Sequence, residues 1–217
     1  MVALKKNWKG LRMRNYEQIL SNIYEKNIWD RGSGLGSSYN YNKQYIIFLE
    51  NFIKQNNIKN IIDLGCGDWQ FSQHIDWSNV NYVGLDLVDS LIKKNNEDYK
   101  QNNIKFYKAD IHQIEGIFQY LGRENQLILI KDVLQHWTDK EIINWLDKLL
   151  KLDFKFALIT SGWKHYRQPE KNNFPRDINN KYSYAPLDFN KKPFNKYPFK
   201  HLMYYRFKEV VLYENRL

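Results

Sequence analysis

The chain has 217 residues, of which 43% are apolar, and a formal charge of +9 from 33 Lys and Arg against 24 Asp and Glu. This length suits one globular domain with little room for a second, and the apolar content is enough to form a core. The only cysteine, Cys66, excludes an intrachain disulfide, and no apolar run approaches the ~20 residues that cross a bilayer.

The positive charge permits nucleic acid, an anionic membrane or an acidic substrate as a partner. Most Lys residues are scattered, but two stretches, 1–16 and 190–208, hold basic residues and no acid. We expect both to be solvated surfaces or, as a second interpretation, to steer an anionic substrate. The basic N-terminus lacks the apolar segment of a signal peptide, so we expect a soluble, cytoplasmic protein without membrane insertion.

Two helices and a glycine-rich segment are predicted before the first strand. The helices cover 14–27 and 42–55. Between them, residues 29–38 hold three glycines and three serines, whose backbone N–H groups and hydroxyls suit an anion. Arg31 is predicted to pair with the same anionic group. The alternative is a flexible lid hinge, and the two interpretations are compatible.

Five apolar runs predict strands that alternate with helices, at 60–64, 80–87, 104–109, 126–131 and 154–160. Such near-continuous runs are typical of parallel strands that are buried on both faces. The clearest helical pattern covers 138–151, where Thr138 and Glu141 make a capping box. This alternation predicts an α/β fold with a doubly wound sheet, whose core spans 42–161 after an N-terminal part, 1–41.

The end of the chain departs from this alternation. Residues 162–201 contain all five prolines and many aromatic residues. A segment of this length without strand signals is usually functional or disordered, and its aromatic content argues against disorder. Within 202–217, the stretches 203–207 and 210–213 are predicted to pair as a hairpin.

Three acids end three successive predicted strands: Asp63, Asp86 and Asp110. Ligands of open α/β sheets bind at these carboxyl ends, so the acids are expected to face one pocket. Gly65 and Gly67 let the backbone turn tightly and approach the ligand. Asp63 suits an ammonium group, Asp86 suits the two hydroxyls of a ribose, and Asp110 suits an adenine amino group. The pattern predicts a cationic cofactor that carries a nucleoside.

Two nucleoside cofactors fit such a pocket, a dinucleotide and S-adenosylmethionine. The dinucleotide fingerprint has a third glycine where this chain has Gln70, and Asp68 would place a negative charge near the phosphates. S-adenosylmethionine has no phosphate and tolerates Asp68. The pattern therefore favours S-adenosylmethionine, with Ile111 packed on its adenine ring. A strand-end Asp alone is commonly a helix cap or turn former, so the prediction depends on the joint arrangement.

Three strings carry a resemblance to a known family: Gly65-Cys66-Gly67-Asp68-Trp69-Gln70, Lys131-Asp132-Val133-Leu134-Gln135-His136-Trp137 and Tyr184-Ala185-Pro186-Leu187-Asp188. Over residues 40–161 the chain resembles the class I S-adenosylmethionine-dependent methyltransferases. The strings resemble a subgroup associated with modification of sugars and surface glycans. The third string departs from that subgroup at Ala185, where arginine is expected.

The resemblance implies a Rossmann-like, seven-stranded, mainly parallel sheet whose last strand is antiparallel, which fits the predicted hairpin. Together with the residues above, it assigns the cofactor site to Arg31, Asp63, Gly65, Cys66, Gly67, Trp69, Asp86, Leu87, Asp110, Ile111 and Lys131. Small size between the two glycines is the preferred explanation for Cys66, rather than a role as a nucleophile.

The residues after the fourth strand face the transferring methyl group in this family. Enzymes that methylate base amines usually carry an Asn/Asp-Pro-Pro-aromatic box there, whereas this chain has Asp132, His136 and Trp137. We therefore predict O-methylation of a sugar or glycan hydroxyl, with His136 as the base and Asp132 orienting it or accepting the proton. If 132–136 form a helical turn, these two side chains share a face. No metal-binding spacing is present, and no metal is predicted.

Further contacts with the acceptor are predicted at Trp137, Trp163, His165 and Tyr184, because aromatic faces beside polar groups suit sugar rings. An ordinary satellite core explains any one of them equally well. Two other functions stay open. The charge indicates a nucleic-acid (RNA) methyltransferase, and a chain that kept only the fold would be a non-catalytic cofactor-binding module.

Overall fold

The computed structural model describes residues 16–113, 117, 119–121, 124–162 and 186–215. Its strands are β1 (Asn60–Leu64), β2 (Asn81–Asp86), β3 (Ile104–Lys108), β4 (Gln126–Lys131), β5 (Phe156–Gly162), β6 (Lys200–Tyr205) and β7 (Lys208–Glu214). Its helices are α1 (Tyr16–Glu25), α2 (Tyr39–Gln55), α3 (Asp89–Asp98) and α4 (Asp139–Leu149). The first basic stretch and most of the segment 162–201 lie outside the described residues.

The strands form one sheet in the order β3-β2-β1-β4-β5-β7-β6. Neighbours from β3 to β5 are parallel, whereas β7 is antiparallel to both β5 and β6. The chain order reverses between β1 and β4, which is where an open α/β sheet leaves a crevice at its carboxyl edge. The predicted Rossmann-like, seven-stranded sheet with an antiparallel last strand is confirmed.

Strand boundaries follow the apolar runs closely. β1 and β4 begin and end where the runs 60–64 and 126–131 predict them. β6 differs, because it begins at Lys200, before the predicted start at 203. α3 had no predicted position, and its sequence explains why: only Leu91 and Ile92 are buried apolar residues in this helix, so the helical period is weak.

The sheet is covered on both faces. One core cluster contains residues of α1 and α4, such as Ile23 and Leu146. Phe194, which precedes β6, belongs to the same cluster. The other contains residues of α2 and α3, represented by Leu49 and Ile92. Burial of apolar strand residues against both layers supplies the main stabilising free energy, roughly 25 cal/mol per Å² of apolar surface.

The predicted capping box of α4 is present. Thr138 Oγ1 accepts a hydrogen bond from Glu141 N at 3.3 Å, and Glu141 Oε2 accepts one from Thr138 N at 2.7 Å. A cap of this kind stabilises a helix by about 1 kcal/mol, so it fixes where the chain turns from the β4 end into α4. Among the described helices, none is both long and apolar enough to cross a membrane.

Candidate active site

A cavity of about 550 Å³ opens at the carboxyl ends of β1, β2 and β4. Residues 33–37 and Lys208 at the start of β7 complete its wall. This volume lies in the range of cofactor and small-molecule sites, and the position is the edge where doubly wound sheets bind ligands. We therefore take this cavity as the candidate active site.

The glycine turn after β1 is packed too closely for side chains. Gly65 and Gly67 have φ of 81° and 57°, a region that strains other residues. A Cβ at Gly67 would lie 2.7 Å from Ser33 Oγ, and one at Gly65 would overlap Val133 Cγ2. Cys66 between them is buried, and burial raises the pKa of its thiol well above the usual value. A nucleophilic thiolate at Cys66 is therefore disfavoured.

Asp86, at the end of β2, holds the glycine turn in place. Its Oδ2 accepts a hydrogen bond from Gly67 N at 3.0 Å, and its Oδ1 accepts one from Val88 N at 3.0 Å. Burial raises the pKa of Asp86, and these N–H groups oppose the rise. Both Asp86 and Leu87 line the cavity, so they lie where the ribose prediction requires them.

Asp63 is positioned by a chain of two hydrogen bonds. Trp69 Nε1 donates to Tyr82 Oη at 2.8 Å, and Tyr82 Oη donates to Asp63 Oδ2 at 2.6 Å. Burial raises the pKa of Asp63 to about 6, although Tyr82 and the charge of Lys131 counteract this. The indole of Trp69 is also packed in T-shaped contact with Phe106. Trp69 thus supports Asp63 from the core, a role that its predicted contact with the cofactor did not include.

At the end of β3, Asp110 differs from the two residues that follow it in its position relative to the cavity. Ile111 and His112 line the cavity, but Asp110 is absent from the wall among the described residues. Asp110 Oδ1 accepts from His112 N at 3.0 Å, and its Oδ2 accepts from Gln113 Nε2 at 2.9 Å. Asp110 thus already accepts local hydrogen bonds, and its contact with an adenine amino group stays a prediction. The ring of His112 lies between those of Tyr16 and Trp137, at 4.1 and 4.0 Å.

The glycine-rich segment lies directly on the glycine turn. Ser33 N donates to Asp68 Oδ2 at 2.9 Å, and Asp68 N donates to Ser33 Oγ at 3.3 Å. Ser33 Oγ is also within 2.8 Å of Tyr24 Oη. These contacts give Asp68 a structural role, because its Oδ2 binds the segment that covers the cavity.

The predicted contact of Arg31 with the cofactor stays a prediction. Its side chain is exposed, and Arg31 is not among the described residues that line the cavity. Asp30 and Arg31 both have left-handed backbone angles, with φ of 62° and 53°, and Gln70 Nε2 donates to the carbonyl of Arg31. This turn is therefore attached to the rest of the protein through the backbone carbonyl of Arg31. The described lysines in the wall are Lys131 and Lys208.

Lys131 and Lys208 meet at one carboxylate. Lys131 Nζ donates to Asp132 Oδ2 at 2.6 Å, and Lys208 Nζ donates to the same oxygen. Both lysines also donate to the carbonyl oxygen of Gly36, at 3.2 and 3.1 Å. This oxygen accepts a further bond from Asn42 Nδ2 at 2.9 Å. The glycine-rich segment, α2, β4 and β7 are thus joined at one backbone atom.

The pKa values of this cluster shift in the same direction for different reasons. Burial alone would raise the pKa of Asp132, but the two lysines outweigh it and hold the pKa at about 2. A partner carboxylate would normally raise the pKa of a lysine, yet burial and the charge of Lys131 lower that of Lys208 to about 7. Asp132 therefore does not offset the full cost of a second buried ammonium beside Lys131.

Residues 132–136 do not form the single helical turn that would place Asp132 and His136 on one face. Asp132 has φ of 61°, and the 3-10 helix begins only at Leu134. The hydrogen bonds of Asp132 come from the lysines, and a pKa of about 2 makes its carboxylate a poor base near neutral pH. His136 lines the cavity, and its ring stacks on that of Trp29 at 5.2 Å and 20°. Asp132 therefore binds the two lysines, whereas His136 lies in the cavity wall against Trp29.

The remaining predicted acceptor contacts divide into two groups. Trp137 lines the cavity but is only 3% exposed, with its ring against those of His112 and Trp145. Trp163, His165 and Tyr184 lie outside the described residues. Trp137 is consequently as much a core residue as a wall of the site.

The chemistry of the cavity wall fits S-adenosylmethionine. Buried carboxylates, Asp63 and Asp86, suit an ammonium group and ribose hydroxyls, and Leu87 and Ile111 offer apolar surface for a base. No described residues form a group of three or more His, Cys, Asp or Glu side chains that could hold a metal ion.

Comparison with known proteins decides the family. Residues 55–196, well over half of the chain, match the family described as Methyltransferase domain. The chain belongs to this family. No curated protein is a significant match to this methyltransferase.

Solved structures share the fold of this methyltransferase at low sequence identity. A putative methyltransferase from Thermobifida fusca has a TM-score of 0.63 at 11% identity, covering 93% of this chain and 93% of its own. N-methyltransferase NodS from Bradyrhizobium japonicum, in complex with S-adenosylhomocysteine, has 0.62 at 11%, covering 91% and 99%. Magnesium protoporphyrin IX methyltransferase ChlM from Synechocystis, with bound S-adenosylmethionine, has 0.56 at 15%, covering 94% and 98%. The cofactor of this methyltransferase is S-adenosylmethionine.

Proposed function

We propose that this methyltransferase acts on a hydroxyl oxygen of a sugar or glycan and that His136 takes the hydroxyl proton. The observation that carries the proposal is the position of His136, an imidazole in the cavity wall whose ring is held flat on Trp29 at 5.2 Å. A hydroxyl is a weak nucleophile until a base removes its proton, whereas an amine already has a lone pair. A base beside the β4 end therefore favours an oxygen acceptor.

The residue types around the β4 end support the same conclusion. Asp132, Val133 and Gln135 line the cavity where amine-methylating enzymes place a proline-rich box. Gln135 Oε1 accepts a hydrogen bond from Gly162 N at 3.1 Å, which ties this loop to the end of β5. The loop is consequently rigid enough to hold an acceptor at a fixed distance, and precise positioning contributes much of the rate in methyl transfer.

The aromatic residues around the cavity favour a sugar. Trp29, Tyr41 and Phe207 line it together with the leucine of the glycine-rich segment, Leu35. Phe207 and Leu35 are 50% and 61% exposed, so the mouth presents apolar faces to the solvent. A sugar ring has both C–H faces and hydroxyls, and it suits a site with apolar walls and a few polar groups.

S-adenosylmethionine supplies the methyl group as part of a sulfonium. The chain supplies the other requirements: Asp86 orients the glycine turn, Val133 packs under that turn, and His136 accepts the proton that leaves the acceptor oxygen. Asp132, whose own backbone is left-handed, accepts hydrogen bonds from both lysines.

A transfer assay with a labelled methyl donor tests this proposal. The panel contains glycosides, nucleotide sugars, simple amines and RNA, each with and without a chelator. We expect labelled methyl ethers on one or more sugars, unchanged by the chelator. Label that appears on an amine, or on RNA with a steep loss of binding in salt, would contradict the sugar assignment.

Calorimetry separates a wrong acceptor from an inactive protein. We expect S-adenosylmethionine and S-adenosylhomocysteine to bind the purified chain. If neither binds, the chain is a module that kept the fold without the chemistry, and the failure of the panel has that cause. If both bind while no sugar is labelled, the acceptor assignment alone is wrong.

A further inference from the structure

Charged side chains divide the cavity into two ends. The buried carboxylates Asp63 and Asp86 lie at the ends of β1 and β2. The ammonium groups of Lys131 and Lys208 lie at the end of β4 and the start of β7, with side chains 6% and 8% exposed. Lysine is rarely buried unless it is paired, so a second buried lysine beside a single carboxylate requires an explanation.

Two buried lysines share one carboxylate at the lysine end. Asp132 Oδ2 accepts from both lysines, so one negative charge faces two positive ones when both lysines are protonated. The other shared acceptor is the Gly36 carbonyl, which is polar but uncharged. An ammonium has three N–H donors, and within the described residues Lys208 uses two of them, on Asp132 and Gly36. A third N–H is therefore left for a ligand.

A second cation continues this end toward the solvent. The guanidinium of Arg206 and the ammonium of Lys208 each lie 5.5 Å from the centre of the Tyr41 ring. Tyr41 lines the cavity, and Arg206 is exposed in the turn between β6 and β7. The Tyr41 ring thus places the exposed guanidinium of Arg206 near Lys208, although Arg206 is not among the described residues of the cavity wall.

Other lysines of the basic stretch 190–208 have acidic partners elsewhere on the surface. Lys196 Nζ lies 3.0 Å from Asp147 Oδ1, and Lys200 Nζ lies 3.0 Å from Glu214 Oε2. Their charges are balanced outside the cavity. Among the described basic residues of this stretch, Lys208 lines the cavity, and Arg206 lies against the same Tyr41 ring.

We propose that the acceptor carries an acidic group, a carboxylate or a phosphate, and that Lys208 binds this group while Arg206 attracts it at the mouth. The proposal rests on the proposed sugar O-methylation and narrows the acceptor to acidic sugars. Lys131 lies closer to the cofactor end, since its charge acts on Asp63, whereas Lys208 comes from β7 beside Gly162 at the acceptor end. We consequently assign Lys131 to the cofactor and Lys208 to the acceptor.

The titration of Lys208 agrees with this assignment. Burial and the neighbouring charge of Lys131 lower the pKa of Lys208 to about 7. An anion at hydrogen-bond distance favours the charged form of an amine and would return the pKa toward its ordinary range. We therefore expect the acidic ligand to bind more tightly at pH 6 than at pH 8.5, where the empty site has lost a proton.

A binding experiment tests the site without turnover. The chain, saturated with S-adenosylhomocysteine at pH 6.5 and constant ionic strength, is titrated with glucuronate, glucose 6-phosphate or glucose, and its melting temperature is followed. We expect one or both acids, and not glucose, to stabilise the wild type. Lys208→Met is expected to abolish this stabilisation, Arg206→Ala to weaken it, and the control Lys200→Gln to preserve it.

A kinetic experiment connects the site to the reaction. Methyl glucuronide and methyl glucoside are compared as acceptors, and kcat/KM is expected to favour the glucuronide by about tenfold, as one charge-assisted hydrogen bond provides. Lys208→Met should remove this preference while its affinity for S-adenosylhomocysteine stays within about twofold, because one lost acceptor contact leaves cofactor binding unchanged. Arg206→Ala, an exposed change, keeps the test valid if the buried variant does not fold.

The outcomes separate this proposal from the function on which it rests. Methylation of both glycosides with equal kcat/KM, and no stabilisation by either acid, overturns the acidic acceptor and leaves sugar O-methylation standing. A loss of cofactor affinity in Lys208→Met with no change in acidic preference also overturns it, because Lys208 would then serve the cofactor carboxylate. Methylation of RNA and of no sugar overturns both proposals.

Discussion

The two ends of the cavity are built differently. At the donor end, carboxylates are held by neutral groups: backbone N–H groups bind Asp86, and the Tyr82 hydroxyl binds Asp63. At the acceptor end, a carboxylate is held by charges, since Asp132 lies between Lys131 and Lys208. Neutral donors leave a carboxylate its charge for a cationic ligand, whereas lysines neutralise it.

This difference indicates which groups can act on ligands. Asp63 and Asp86 keep negative charge that a cofactor with a positive charge can use. The carboxylate of Asp132 is bound by the lysines, and the other titratable side chains of the cavity wall at this end are the lysines themselves and His136. The proposal therefore assigns the chemistry of the Asp-x-x-x-His motif to His136.

The largest test of this comparison is His136→Gln at the acceptor end. We expect kcat to fall by about 10²- to 10⁴-fold, because a general base contributes this much. Affinity for S-adenosylhomocysteine, measured by calorimetry, should stay unchanged, since donor-end carboxylates are intact. The control is His74→Gln, an exposed histidine whose ring is tilted against that of Tyr39 and which is not among the described residues of the cavity wall. Wild-type turnover in His136→Gln would show that His136 is not the base.

The next test removes charge from the donor end with Asp86→Asn. Affinity for S-adenosylhomocysteine should fall by about 100-fold, because bonds from ligand hydroxyls to a charged acceptor contribute about 1.5–3 kcal/mol each. Calorimetry measures the change. Asp89→Asn is the matched control, an exposed acid three residues later that pairs with Lys93 at 2.7 Å. Equal affinities for the two variants would show that Asp86 acts only on the protein.

A smaller effect is expected from pH, through Asp63. Its pKa is raised to about 6, so this carboxylate is charged at pH 7.5 and mostly protonated at pH 5. Affinity for S-adenosylhomocysteine should therefore fall by about tenfold between these values, as one unit below the pKa implies. The sign for folding is the opposite: because burial raises the pKa of Asp63, this group favours the folded state below pH 4 and loses that contribution as pH rises through 6.

Asp63→Asn provides the control for the pH effect. The variant should bind weakly at both pH values and lose most of the pH dependence, because the titrating group is gone. An unchanged slope in the variant would assign the pH dependence to another residue.

The smallest effect is expected from Gly36→Ala, which presses on the lysine cluster. The added Cβ would lie 3.0 Å from Lys208 Nζ, the mobile end of a side chain that can shift by a few tenths of an ångström. We expect a loss of about 1 kcal/mol in the free energy of unfolding, as for small overpacking. KM for the acceptor should rise about threefold at constant cofactor affinity, a difference of well under 1 kcal/mol. A change in cofactor affinity alone would place Gly36 at the donor end.

The sequence predicted the donor end because local rules determine it. A buried strand, an acid and two glycines within five residues set the geometry of the turn, and β1 and β4 were predicted to the residue. Asp86 could be placed for the same reason, at the end of the next strand. Asp110 differs, because it bonds to His112 and Gln113 and is not among the described residues of the cavity wall.

The acceptor end could not be predicted because its partners are far apart in the chain. Lys208 is 76 residues from Asp132, and Gly36 is 172 residues from Lys208. No spacing in the sequence indicates such contacts, and a left-handed residue at Asp132 broke the helical turn that the spacing implied. His112 was missed as a wall residue because its stacking partners, Tyr16 and Trp137, lie on other elements.

The Gly36 carbonyl has a consequence for how this site would appear in genetic experiments. Its oxygen accepts from Asn42, Lys131 and Lys208, and every amino acid at position 36 supplies the same oxygen. A mutational scan would therefore record only the steric effect of a side chain there and miss the hydrogen bonds. Replacing the amide between residues 36 and 37 by an ester, which weakens that carbonyl as an acceptor, is the chemical change that would reveal them.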